Sequence, residues 1–453
     1  MGGFNLSSLS SLASGTGLDV TAVVDQIIAT ESQPVVLLKN QLTRLTAQQA
    51  ALTTFNTGLS ALLGSVNALK DITGALTGIT ATSSQPLLLS ANADASATPA
   101  VHNIVINNLA SNSSYVSGAL ATGATTFSQG TFQLSIGGAA PTTITVDGTN
   151  NTLTGLAASI NQQNLGVQAS VIVDANGSRL ALLSSSSGLP GDLAISNNST
   201  GIALSPTAAG INASIIVDGV PVSSATNTVT GVLSGVTLNL AGAAPGSPVQ
   251  LTVQADTNRA KQAINDFVTS YNSIITAINA QFTFDPIANS AGVLSSDGDL
   301  RRLQQQLLGD VTLSVSGNAN FNNLASLGVN LNNDGTLTVD DGALGSALQN
   351  HYADVKSFFQ AGSPSGFAVQ VSSDLTSLTD STQGLINLDL TGNRNTQQFI
   401  NNSISDFQVR LDARRAQLVT QYSQVDATLR AFPLLQAQIT GALNSIPGAV
   451  QTK

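Results

Sequence analysis

The chain contains no cysteine. A disulfide-stapled fold, a thiolate metal site and a cysteine nucleophile are therefore excluded. Charge is scarce as well: Asp, Glu, Lys and Arg make up 9% of the 453 residues, against roughly 25% in ordinary soluble domains. The hydrophobic fraction is still 42%, so the missing charge has been exchanged for Ser, Thr, Asn, Gln, Ala and Gly. That balance argues against general disorder, which accompanies high charge and few apolar residues. A polar, nearly uncharged surface suits close packing against copies of the same chain or a similar one, where like charges would repel. The 15 basic residues are thinly spread in a chain of net charge −10. Neither nucleic acid nor an anionic membrane surface has an electrostatic foothold. No apolar run nears the ~18 residues of a membrane span, so membrane insertion is not expected. Met1 to Gly17 lacks Lys, Arg and a continuous apolar stretch, and does not read as a cleavable secretory signal. An extracellular destination would need an export route that reads something else.

What the chain does have is periodicity. Leu38, Leu42, Leu45, Gln49, Leu52, Phe55, Leu59, Leu62, Val66 and Leu69 follow steps of four and three. This is an a/d heptad seam, broken in composition only at Gln49. Such a helix spans ~48 Å and needs a partner along its length. Near the other end Ile404, Phe407, Leu411, Arg414, Leu418, Tyr422, Val425, Leu429 and Phe432 keep almost the same rhythm. One doubled step of four locally unwinds that seam. The two are expected to pair within one chain, bringing Leu52, Phe55 and Leu59 against the C-terminal helix, with Leu418 as a candidate neighbour of Phe55. Ile264, Phe267, Tyr271, Ile274 and Ile278 form a third stripe of the same period. The distal ends, before about Leu38 and after about Phe432, are expected to stay unpaired until a partner arrives.

Taken in order, Asp19 is a good N-cap for a short helix with Val20, Val23, Val24, Ile27 and Ile28 on one face, ended or bent at Pro34. After breakers at Gly74, Gly78 and Pro86 the period shifts to two. Strands are predicted at 101–106, 131–136, 143–146, 169–173, 179–183, 215–217 and 236–240, with turns at Asp147-Gly148, Asn176-Gly177 and Asp218-Gly219. A helix over 153–164, capped by Thr152, interrupts them. Asp256-Thr257 and Ser296-Asp297 cap later helices, and 327–339 reads as a hairpin around Asn333-Asp334-Gly335. Gly384 to Gly392 is a breaker before the last helix, whose far end is disturbed by Pro433 and Gly441.

The fold class is α+β and multidomain: long antiparallel coiled-coil terminal domains with inserted β-rich heads. The expected division is a terminal leg over 1–37, disordered or helical, then a helical rod from 38–80 with 254–432. One β-rich head comprises 81–112 with 205–253 and a second comprises 113–204. A terminal leg over 433–453 closes the chain.

Chemistry finds little support. His102 and His351, the only histidines, lack a second His or Cys to complete a metal set and read as structural. There is no Gly-x-Ser-x-Gly elbow, no phosphate-cradling glycine loop and no dinucleotide fingerprint. Asn330 to Asp341 imitates a calcium loop, but it opens on Asn, closes on Asp and has strand-like flanks, so a hairpin fits better. No cofactor, metal or enzyme activity is expected.

The chain resembles the flagellar filament capping protein family, hook-associated protein 2. Gly17-Leu18-Asp19-Val20 with Val24-Asp25, Glu31 and Pro34 is similar to that family's opening. Gly130-Thr131-Phe132, Ser159-Ile160-Asn161 and Gly166 to Val171 resemble the motif shared by hook-filament proteins. Asp218-Gly219, Asn227-Thr228-Val229, Gly235 to Leu238, Phe267-Val268 with Tyr271-Asn272, Gly292 to Asp297 and Leu327 to Leu337 continue the likeness over nearly the whole chain. The resemblance implies unfolded type III export and a ring-shaped homo-oligomer, expected as a pentamer, at the distal filament tip outside the cell. It implies that the ring folds and inserts flagellin and stops its leakage. The terminal helices would be legs touching flagellin and the β domains a plate. A hook-filament junction protein, and an export chaperone at the C-terminal end, are the further partners implied. The rival readings are a secreted adhesin with a helical stalk and a hook-filament junction protein.

Overall fold

The computed structural model describes residues 18–287, 290–361 and 366–445. The chain divides into two compact units: 1–67 with 265–343 and 357–453, and 68–264 with 344–356. The architecture is α+β and multidomain.

The first unit is helical. Helix α1 (Val20–Glu31) starts at Asp19, whose Oδ1 accepts from the Ala22 N–H at 3.0 Å. Helix α2 (Gln33–Lys70) follows after Ser32 alone. Pro34 falls in its first turn, where a missing N–H breaks no intrahelical bond. Most of α4 (Thr257–Phe282) belongs here, opened by Asp256 Oδ1 accepting from the Arg259 N–H at 2.9 Å. So do α5 (Gly298–Val311), α8 (Phe367–Thr379) and α9 (Leu385–Asn444). Phe267, Tyr271, Ile274 and Ile278 of α4 are all buried, as their spacing predicts. A Cβ on Gly58 would stand 3.1 Å from Ile274 Cγ1, so this glycine lets α2 and α4 approach closely.

Helix α9 corrects the expectation at both of its ends. It begins at Leu385 and contains Gly392, which the sequence marks as a breaker. It also runs unbroken through Pro433 and Gly441 as one helix of 60 residues. Residues 431–443 are exposed all round. A carbonyl freed by proline can be hydrated there, and no packing is lost.

The second unit carries the strands. Two sheets, ordered β1 (Ile79–Ser83), β15 (Pro248–Ala255), β3 (Ala100–Asn108), β11 (Ala213–Val217), β12 (Val220–Ser224), and β13 (Thr228–Leu233), β14 (Val236–Leu240), β2 (Leu89–Ala93), enclose one core. Alternation buries Ile104 and Ile106 of β3, Ile215 of β11, Leu238 of β14 and Leu251 of β15. Its β11–β12 turn places Asp218 at φ 50° and Gly219 at φ 85°, the geometry that an Asp-Gly hairpin favours. Asp218 also fixes His102: Nδ1 lies 2.7 Å from Oδ2, while Oδ1 accepts from the Asn103 N–H.

Inserted between β3 and β11 is a second β body with its own core. Its sheets run β10 (Leu204–Ala208), β4 (Asn112–Ser117), β8 (Gly177–Ser187), β7 (Val167–Asp174) and β6 (Thr142–Val146), β5 (Gly130–Ile136), β9 (Leu193–Ser196). Helix α3 (Leu153–Gln162), capped by Thr152 at 3.0 Å, buries Leu156 and Ile160 among Phe132, Leu134, Leu180 and Leu182. The expected turn at Asp147-Gly148 joins β6 to α3. Asp147 Oδ1 accepts from Thr149 N and Oγ1, a local Asx turn that serves a helix entry as well as a hairpin.

Candidate assembly seam

The seam is built from α1, α2 and α9. Leu38, Leu42 and Leu45 of α2 pack, with Val35, against Ile400, Ile404, Phe407 and Leu411 of α9. The two polar breaks in the apolar rhythm find polar partners on the opposing helix. Gln397 donates from Nε2 to Gln49 Oε1 at 2.6 Å, and Arg414 Nε pairs with Glu31 at 3.5 Å. Arg415 joins Asp25 of α1, and the Leu18 N–H donates to Asp426 Oδ1 at 2.7 Å. That bond, with Arg430 beside it, holds the Asp426 carboxyl below the usual carboxylate range.

These contacts set an antiparallel register. Helix α2 reaches its start before α9 is exhausted, and α1 takes over as partner, so residues 18–37 are not an unpaired end. The expectation that the chain before Leu38 lies free is corrected for these residues. Residues 1–17 and 446–453 of the two expected legs lie outside the described residues.

Leu52, Phe55, Leu59, Leu62, Val66 and Leu69 are all buried. Phe55 lies six residues past Gln49, level with the first turns of α9, where Ile386 and Leu390 are buried. Leu418, 5% exposed, lies on the stretch of α9 bracketed by Arg415 and Asp426, beside α1. At 1.5 Å per residue Phe55 and Leu418 stand roughly 40 Å apart along the rod, so they do not meet. Tyr422 and Leu429 are half-buried, whereas Val425 is 46% exposed and lies off any covered seam. Sequence periodicity missed Gln397 and the α1 acids Asp25 and Glu31 as seam residues. The available signal was their polarity opposite Gln49 and Arg414 in a chain with so little charge.

The calcium-like stretch is the hairpin β18 (Val329–Leu331) and β19 (Leu337–Val339). Asp334 Oδ1 accepts from Thr336 N and Oγ1, and Asn332 Oδ1 from Thr338 Oγ1, so these oxygens serve the turn. Among the described residues one acidic group gathers three carboxylates, Asp297, Asp299 and Asp389. Asp297 uses its Oδ1 to cap α5. No described helix is long and apolar enough to cross a membrane.

Family models of the flagellar hook-associated protein 2 N-terminus and C-terminus match residues 16–113 and 210–432. The B-type flagellar hook-associated protein 2 of Pseudomonas aeruginosa is 30% identical, over 95% of this chain and 96% of its own length. The chain belongs to the flagellar hook-associated protein 2 family. The Escherichia coli K12 member is 28% identical, over 96% of this chain and 98% of its own. A crystal structure of the D1-D2-D3 domains of the flagellar cap protein FliD from Escherichia coli superposes with a TM-score of 0.57. The two chains are 27% identical, and the match covers 76% of this chain and 99% of that one. The seam helices α1 and α2 lie inside the first matched stretch, and α9 up to Phe432 inside the second. Residues 114–209, between the two stretches, hold nearly all of the inserted β body.

Proposed function

We propose that this chain is a structural, non-enzymatic factor that caps the distal end of the bacterial flagellar filament, outside the cell. The observation that carries the reading is family membership over almost the full length, joined to a seam built from both ends of the chain. The cap is a ring of identical subunits, expected as a pentamer, that helps arriving flagellin to fold and insert and keeps it from leaking away. Further partners are a hook-filament junction protein and, at the C-terminal end, an export chaperone. Neither nucleic acid nor membrane insertion has a part.

Within this reading the terminal legs are 1–37 and 433–453, the rod is 38–80 with 254–432, and the heads are 81–112 with 205–253 and 113–204. The seam residues Leu38 through Leu69 and Ile404 through Leu429, Val425 excepted, hold the rod together. Phe432, Leu435, Ile439 and Leu443, each more than half exposed, offer an apolar stripe to flagellin.

Complementation of a cell lacking this gene tests the proposal. Without the protein, filaments should be absent by electron microscopy and flagellin should accumulate in the medium; the full chain should restore growth. Normal filaments with lost surface attachment would select the adhesin reading instead.

A further inference from the structure

Helix α5 is seated by carboxyl groups at both of its ends. At the C-terminal end Asp310 is 3% exposed. Gln306 donates from Nε2 to its Oδ1 at 3.2 Å, while no donor reaches the buried Oδ2. The acid whose charge bears on it is Asp374 of α8. From α4 comes Tyr271, 1% exposed, its hydroxyl also without a partner. At the N-terminal end Asp297 Oδ1 accepts from the N–H groups of Asp299 and Leu300 at 2.9 and 3.1 Å. Asp389 of α9 meets Asp297 and Asp299 there, with carboxylate oxygens within 4.8 Å of one another. Its Oδ2 is buried and has no donor. Arg302 approaches this group from the solvent side, its Nη1 3.4 Å from Asp299 Oδ1.

Neighbouring carboxylates of which one, Asp310 or Asp389, has an oxygen shut away from water cannot all stay ionised at low cost. One proton per contact removes the repulsion and supplies the donor that each orphaned oxygen lacks. Burial, and then the Asp374 charge, raises Asp310 well above the usual carboxylate range. Burial, then Asp297 and Asp299, raises Asp389 to about 6.

We propose that α5 is held by protons: the Asp310–Asp374 and Asp389–Asp299 contacts each carry one when the helix is seated, and losing them loosens α5 from α8 and α9. Both groups bind protons more tightly folded than unfolded. Their stabilising contribution is therefore complete below the ordinary carboxylate value of 3.8. It is lost as pH rises through about 6 at Asp389 and higher still at Asp310. Leu300, Leu303 and Leu307, buried on the seated face, would then be uncovered.

Hydrogen exchange on the full chain, corrected for intrinsic rates, tests this between about pH 5.5 and 8.5. Each proton released on opening gives up to roughly tenfold per pH unit, so α5 should lose at least ~tenfold protection while α3 in the inserted β body stays constant. Asp310→Asn and Asp389→Asn should each flatten the α5 profile; Asp374→Asn, on the half-buried partner, should do the same and substitutes for Asp310→Asn if that variant unfolds. Parallel loss in α3 and α5, or wild-type slopes in the variants, would overturn the proposal. So would restoration of α5 protection at the alkaline end by millimolar magnesium or calcium in the wild type and not in Asp389→Asn, which would make the cluster a cation site.

Discussion

Gln49 and Arg414 interrupt their apolar stripes at places where a polar partner waits on the other helix. A polar residue at a core heptad position commonly fixes register while lowering stability. Replacing both Gln49 and Gln397 by Leu should raise the thermal midpoint yet broaden the species seen in sedimentation, because alternative registers become accessible. One sharp species would show that the glutamine pair has no such role. Truncations report on packing instead. Phe55→Ala should lower stability by ~3–5 kcal/mol and Leu418→Ala by ~2–5 kcal/mol, the usual ranges for buried side chains. The two sites lie far apart along the rod, so chemical denaturation of the double variant should show additive losses to within ~0.5 kcal/mol. A larger coupling energy would mean that they touch and that the register is wrong.

At the scale of elements, the helices and most strands could be read from periodicity and caps, and their partners could not. Heptads say that Leu38 to Leu69 needs a companion; they do not say at which level α9 crosses, because every apolar step looks alike. The register lies in a few polar atoms, Gln397 to Gln49 and the α1 acids to Arg414 and Arg415, which only tertiary structure brings together. The Pro433 break failed for a related reason: proline ends a helix most reliably where packing and hydrogen bonds are at stake, and here the surroundings are solvent. The acid pair Asp310–Asp374 leaves no mark in sequence, since its members lie on separate helices. Exposed ion pairs contribute only ~0–1 kcal/mol, so Arg415→Asp should barely move the thermal midpoint. It should nevertheless free α1 to fray, raising the proteolysis rate within 20–31, and Asp25→Arg added to it should restore protection. Equal cleavage in all three proteins would remove the α1 latch from the account.

In the molecule as a whole, segments from both ends of the chain build one helical unit, while separate β cores are formed by its middle. The β bodies bury their own clusters around Ile104 and Leu238 and around Phe132 and Leu182. Their melting should therefore be largely unmoved by Phe55→Ala even where the helical transition falls. The most direct test exploits the absence of cysteine. Thiols introduced as Gln49→Cys with Gln397→Cys, treated with a short bifunctional maleimide, should cross-link within a single chain in dilute solution. Phe55→Cys with Leu418→Cys should not. Cross-linking of the second pair within one chain, or of the first pair only between chains, would contradict an intramolecular antiparallel rod.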